Sequence, residues 1–195
     1  MSKPESKDQV EDVERELKFA NVDHSQLRSR LGELEAEQQG PPALEDNYIF
    51  DRDGELAADK KLLRLRVDRS GCRITFKGPA HYEGTVKVRG ELETTLGDVE
   101  TGRAILEALG YEQVARYQKY REEWLLGSQV ISLDHTPIGD FAEFEGKGCD
   151  RVARRCGLDV DSAERRNYLR LYEDHVAENP DADREMVFAG EKGRT

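Results

Sequence analysis

Glu14-Arg15-Glu16-Leu17-Lys18-Phe19 decides how this chain is read. In an extended strand, alternate residues point to the same face. Glu14, Glu16 and Lys18 then make one charged row, with Leu17 and Phe19 on the opposite face. Neighbouring carboxylates repel unless a cation sits between them, so the row suggests a site for a hard divalent metal. The reading gains weight because the same alternation recurs on later strands.

Arg64 and Arg66 alternate with Leu63, Leu65 and Val67, and Arg73, Thr75 and Lys77 with Ile74 and Phe76. Lys87, Arg89, Glu91 and Glu93 alternate with Val86, Val88 and Leu92. Lys119, Arg121 and Glu123 form a further row. Ser132 and Asp134 alternate with Ile131 and Leu133, and Glu143 and Glu145 with Ala142 and Phe144. An open antiparallel sheet with one wet face gives the same pattern. Three features favour a sheet closed on itself. The charged positions are almost all Arg, Lys and Glu. Bases dominate the middle strands, while carboxylates dominate the first and last. The apolar faces need cover, and three helical stripes can supply it. A charged interior is costly unless a ligand or water fills it. Arg and Lys clamp phosphate oxygens, and carboxylates hold Mg²⁺ or Mn²⁺, which bridges the same phosphates. A polyphosphate with divalent metal suits such an interior.

The composition sets bounds on this. At 195 residues the chain suits one domain with a real core. Charged residues match hydrophobic ones at 36% each, so either the surface is heavily charged or some charge lies inside. A net charge of −11 argues against a general nucleic-acid binder but leaves room for a local basic pocket. Three cysteines without CxxC spacing read as buried thiols of a reduced protein. No N-terminal stretch resembles a signal peptide and no apolar run approaches a membrane span, so a cytoplasmic location without membrane association is expected.

Along the chain, residues 1–9 read as a disordered N-terminus. A strand is predicted over 10–20 and a helix over 23–38, with Asp23 and Gln26 as a capping box and Gly40-Pro41-Pro42 as its stop. Strands are predicted over 46–51, 61–68, 72–78 and 84–94, with Arg69-Ser70-Gly71 turning between two of them. A second helix spans 97–109, ended by Gly110. Strands over 112–125, 129–135 and 140–146 follow, then helices over 148–156 and 161–173. The acidic tail, 176–195, reads as mostly disordered, with Met186-Val187-Phe188 as its one sticky point.

The ordered set of motifs resembles the CYTH superfamily, the triphosphate tunnel metalloenzymes. Glu14-x-Glu16-x-Lys18 is similar to its ExExK signature. The likeness continues through Leu63-Arg64-Leu65-Arg66, Thr75-Phe76-Lys77-Gly78-Pro79, Arg89-x-Glu91-x-Glu93, Lys119-x-Arg121, Leu133-Asp134 and Ile138-Gly139-Asp140-Phe141-Ala142-Glu143-Phe144-Glu145. It spans about 10–175. The spacing, with Asn167-Tyr168-Leu169 near the end, looks most like the class IV adenylate cyclase-like branch, with the thiamine triphosphatases close by.

The resemblance implies an α+β fold, an eight-stranded antiparallel closed β-barrel with helices packed outside. It implies metal binding by Glu14, Glu16, Glu143 and Glu145, with Mg²⁺ or Mn²⁺ as cofactor. It implies phosphate binding by Lys18, Arg64, Arg66, Lys77, Lys119 and Arg121. Glu16, Asp134 and Glu143 are the candidate catalytic residues, Asp134 as a further acidic member beside the metals. Arg89, Glu91 and Glu93 are assigned only to the tunnel wall. The expected activity is metal-dependent hydrolysis of a triphosphate, whether inorganic, nucleoside or thiamine triphosphate. The alternatives are an adenylate cyclase making cyclic AMP and pyrophosphate, and a non-catalytic polyphosphate or nucleotide binder. Pure anion binding needs no carboxylates, which weighs against the last.

Other signals carry less. Gly146-Lys147-Gly148 lacks the GxxxxGK[ST] frame and reads as a turn. The four histidines show no zinc spacing. Alternation turns His135 away from the interior and puts Trp124 on the packed side. Arg154, Arg155, Arg165 and Arg166 read as solvated faces, with a homodimer contact as the second reading.

Overall fold

The computed structural model describes residues 12–190. The disordered stretch expected over 1–9 lies outside them. Strand β1 (Asp12–Ala20) carries the opening motif. Its first half pairs with β7 (Val86–Leu96) and its second half with β10 (Gly139–Glu145), both antiparallel. Dividing one strand between two neighbours closes the sheet. The remaining staves are β3 (Ala43–Asp51), β4 (Leu62–Asp68), β5 (Gly71–Lys77), β8 (Glu112–Leu126) and β9 (Gln129–Thr136). The order runs β1–β10–β9–β8–β3–β4–β5–β7 and back to β1. This is the expected α+β barrel of eight antiparallel strands. Two short strands, β2 (Glu37–Gln38) and β6 (His81–Glu83), attach to β8 and β7 and were not foreseen.

The strands alternate as the sequence requires. Leu17 and Phe19 leave the bore with Ile131 and Phe144 and pack under helices α1 (His24–Glu33) and α4 (Cys149–Arg155). Phe50, Leu63 and Leu65 pack with Leu106 of helix α3 (Val99–Ala108). A short helix, α2 (Glu55–Ala58), follows β3. Burying a Leu or Phe side chain contributes ~1.5–3 kcal/mol, so these outer layers offset the cost of a charged bore. Asp23 caps α1 by accepting from the Gln26 amide at 3.0 Å, and Asp98 caps α3 through the Thr101 amide at 2.7 Å. Helix α1 stops near residue 33 rather than 38, because Glu35 turns left-handed at φ 58° and sends the chain into β2.

The predicted helix over 161–173 is misplaced. Residues 160–162 form one 3₁₀ turn, and helix α5 runs from Tyr168 to Glu178, capped by Asn167 accepting from the Arg170 amide at 2.8 Å. The reason is tertiary: the Glu164 amide donates to the Lys18 carbonyl at 2.7 Å, holding this segment extended across β1. The tail also departs from expectation up to residue 190. Met186 is buried and brackets β8, its carbonyl accepting from the Gln118 amide at 2.8 Å. Phe188 lies against the rings of Tyr120 and His135. Ile49, Tyr117, Phe141, Tyr168 and Met186 form a third apolar cluster where α5 meets the barrel. Among the described residues, no helix is long and apolar enough to cross a membrane.

Candidate active site in the barrel bore

The bore holds a cavity of about 570 Å³. All ten residues expected to point inward line it: Glu14, Glu16 and Lys18 from β1, Arg64 and Arg66 from β4, Lys77 from β5, Lys119 and Arg121 from β8, and Glu143 and Glu145 from β10. Among the described residues, nine Lys or Arg and seven Glu side chains share this lining. Lys87, Arg89, Glu91 and Glu93 line it too, on β7. His135 points outward to Asp140, and Trp124 packs on the outer core, as alternation predicts.

Carboxylates are richer on β1 and β10 and bases on β4 and β8, though each wall holds the other sign. On the acidic wall, Glu16 lies opposite Glu145 and Lys18 opposite Glu143. Like charges directly opposed across a strand pair destabilise it unless a cation intervenes. Lys18 Nζ sits 3.2 Å from Glu143 and 3.7 Å from Glu16. Burial opposes its charge, but Glu143 and Glu16 outweigh this and raise its pKa above the ordinary lysine value. Glu14 is held by Lys77 at 2.7 Å, yet its second oxygen is buried with no hydrogen-bond partner. Glu145 is 31% exposed. Surrounding protein first, then Glu143, Glu16 and Glu14, push its pKa up to about 7, with Arg121 opposing.

On the basic wall, Arg64 donates to Thr75 at 3.3 Å, and Arg66 reaches Glu93 at 3.2 Å and Glu45 at 3.6 Å. The Nε atoms of Arg64 and Arg66 are buried without hydrogen-bond partners.

Asp134 lies behind the cavity lining rather than in it. It is fully buried and accepts from Lys119 at 2.9 Å, from Arg121 at 2.7 and 2.6 Å, and from the Tyr168 hydroxyl at 2.7 Å. Arg121 also meets Glu143. Burial resists charge on Glu143, but Lys119, Arg121 and Lys18 prevail and hold its pKa well below the usual carboxylate range. Glu45, which the sequence reading missed, plays a similar part. Burial resists its charge, but Lys119, Arg121 and Arg66 win and hold its pKa to about 2. Tyr168, seen only as part of a motif, places its ring 4.0 Å beneath Lys18 Nζ. Its own pKa is raised, by burial first and then by Asp134.

The acidic wall fits a hard divalent cation by donor chemistry. It offers carboxylate oxygens alone, one of them unpartnered, with two glutamates opposed in register. Among the described residues, no three acidic, His or Cys side chains converge on one point. Taking a cation therefore requires the ion pairs of Lys18, Lys77, Lys87 and Arg121 with these carboxylates to open.

An eight-stranded antiparallel barrel with cations and carboxylates crowded in its bore defines a charged-tunnel protein. A family model described as the CYTH domain matches residues 12–155, and the chain belongs to that family. It is 25% identical over 172 residues to a Methanocaldococcus jannaschii protein named "putative adenylate cyclase", covering 82% of this chain and 98% of that one. A solved Vibrio parahaemolyticus structure of the same description shares the fold, with a TM-score of 0.74 and 23% identity over 84% of this chain and 99% of that one. A Hippeastrum adenylyl cyclase-like protein, described as revealing a dominant triphosphatase activity, also shares it. Its TM-score is 0.61, with 16% identity over 83% of this chain and 96% of that one.

Proposed function

We propose that this protein binds a triphosphate-bearing small molecule in its bore and hydrolyses a phosphoanhydride bond with Mg²⁺ or Mn²⁺. The observation that carries the reading is the charge gathered in one cavity: basic side chains from β4, β5, β7 and β8 meet carboxylates from β1 and β10, with Glu16 opposed to Glu145. Lys18, Arg64, Arg66, Lys77, Lys119 and Arg121 hold the phosphate oxygens, the arginines bidentately. As phosphate enters, Lys18 and Lys77 trade their carboxylate partners for phosphate oxygens. Glu14, Glu16, Glu143 and Glu145 would then hold the metal, once Lys87 on Glu16 and Arg121 on Glu143 also turn to phosphate. A divalent ion bound there would supply neutralisation of phosphate charge and polarisation of the attacking water or the leaving oxygen. Asp134 works as a positioning residue: it fixes Lys119 and Arg121 against the bore and keeps Tyr168 under Lys18. Fixed charges aimed at the transferring phosphoryl group carry most of such a reaction.

The second reading is cyclisation of ATP to cyclic AMP and pyrophosphate, favoured by the name of the Methanocaldococcus relative. It needs a ribose held in register, and no residue in the bore is assigned that task. A binding module without turnover is the third. Phosphate release from tripolyphosphate, ATP and thiamine triphosphate, with and without Mg²⁺ or Mn²⁺, tests the proposal. Release that needs metal and stops in EDTA supports it, and no release from any of them overturns it.

A further inference from the structure

A second cavity, of about 740 Å³, adjoins the bore beside α5. Leu62, Lys87, Arg89, Asn167 and Leu169 line both, so the two share a wall. Their charge differs. Among the described residues, eight Lys or Arg side chains line the second cavity, against only Asp51 and Glu173. Asp51 is occupied by the amides of Arg52, Leu56 and Ala57, and Glu173 by Arg170. Among the described residues, Lys60, Arg89, Arg165 and Arg184 have no carboxylate ion-paired to them. Arg89 is buried and, among the described residues, donates only to the carbonyls of Gly78 and Lys60. In a chain of net charge −11, a cavity this basic is a local anion site. Its near lack of carboxylates distinguishes it from the bore, because it offers nothing to hold a metal. Tyr82, Tyr172 and Val114 also line it and suit a ring, so ATP is the competing ligand, while further phosphoryl groups gain from Lys60, Arg89, Arg165 and Arg184.

Resting on the triphosphate reading above, we propose that the second cavity takes phosphoryl groups beyond the third. The preferred substrate class is then a linear polyphosphate longer than triphosphate, passing Arg89 from one cavity to the other. Lys60, Arg165 and Arg184 are exposed, lie outside the bore lining and serve as the probe. Calorimetric titration of the full chain, without added divalent metal, compares tripolyphosphate, linear hexaphosphate and ATP. Each is titrated into wild type and into the triple variant Lys60→Gln, Arg165→Gln, Arg184→Gln. Three exposed charge contacts predict hexaphosphate binding about tenfold tighter than tripolyphosphate in wild type. The variant should lose that gain and keep its tripolyphosphate affinity. Equal affinities in wild type, or a gain that survives in the variant, overturn the proposal. So does a gain shown by ATP alone, which assigns the cavity to a nucleoside. If tripolyphosphate fails to bind here and also with Mg²⁺ or Mn²⁺ added, the triphosphate reading falls by itself. Hexaphosphate binding lost in the variant then still supports the second site, and binding retained there overturns it.

Discussion

Replacing Asp134 with Asn should destabilise the barrel by about 3 kcal/mol while leaving its shape intact. The side chain is fully buried and receives Lys119, Arg121 and the Tyr168 hydroxyl. Asn keeps the volume and removes the charge, leaving two buried cations short of a partner. Removing one member of a buried ion pair costs ~3–5 kcal/mol. The lower end applies because other carboxylates remain near: Glu45 lies 3.5 Å from Lys119 and 3.9 Å from Arg121, and Glu143 lies 3.9 Å from Lys119. For a chain of this size the loss corresponds to about 10 °C in Tm. Urea unfolding of wild type and Asp134→Asn, followed by circular dichroism, measures it. Tripolyphosphate should recover part of the loss, since its oxygens replace the missing charge. A cost below about 1 kcal/mol, or no recovery with tripolyphosphate, would refute the view that Asp134 anchors the basic wall.

Three further outcomes are expected. Tyr168→Phe keeps the ring under Lys18 but removes the donor to Asp134, so stability should fall by about 1 kcal/mol; KM for a triphosphate should rise more than kcat falls, and a change in kcat alone would contradict a positioning role. Glu16→Gln and Glu143→Gln should each lower turnover about a hundredfold, on the scale of lost electrostatic stabilisation, and EDTA should abolish it; full activity in chelator or in either variant contradicts the metal assignment. Because the pKa of Glu45 is depressed to about 2 in the folded protein, its contribution is fully present above the unfolded value near 4.5 and lost as pH falls from there towards 2. That window is worth about 3 kcal/mol, so wild type should lose stability more steeply than Glu45→Gln on acidification. Parallel curves would remove Glu45 from the account.

The bore was legible because the strand period is two and the charged rows keep it. One phase error in any strand would have turned its row outward, yet all ten residues meet in one cavity. Glu45 escaped notice because Leu44-Glu45-Asp46-Asn47 carries polar groups on both faces of β3. Glu45 turns in to Arg66 and Lys119, while Asp46 turns out to Arg116. Helix α5 was placed too early, over 161–173, whereas its working cap is Asn167. Only the long-range bond from Glu164 to the Lys18 carbonyl separates the two. Asp134 shares the phase of the cavity residues, and its distance behind the lining depends on cross-strand partners that no local pattern reveals. The docking of Met186 on β8 has the same tertiary origin.

Separating the products formed from ATP and from tripolyphosphate, each incubated with the pure protein and Mg²⁺ or Mn²⁺, tests the central claim most directly. The account predicts metal-dependent phosphate release from tripolyphosphate, with any nucleotide product from ATP being linear. Cyclic AMP and pyrophosphate as the main products from ATP, with tripolyphosphate untouched, would contradict hydrolysis and make the protein a cyclase.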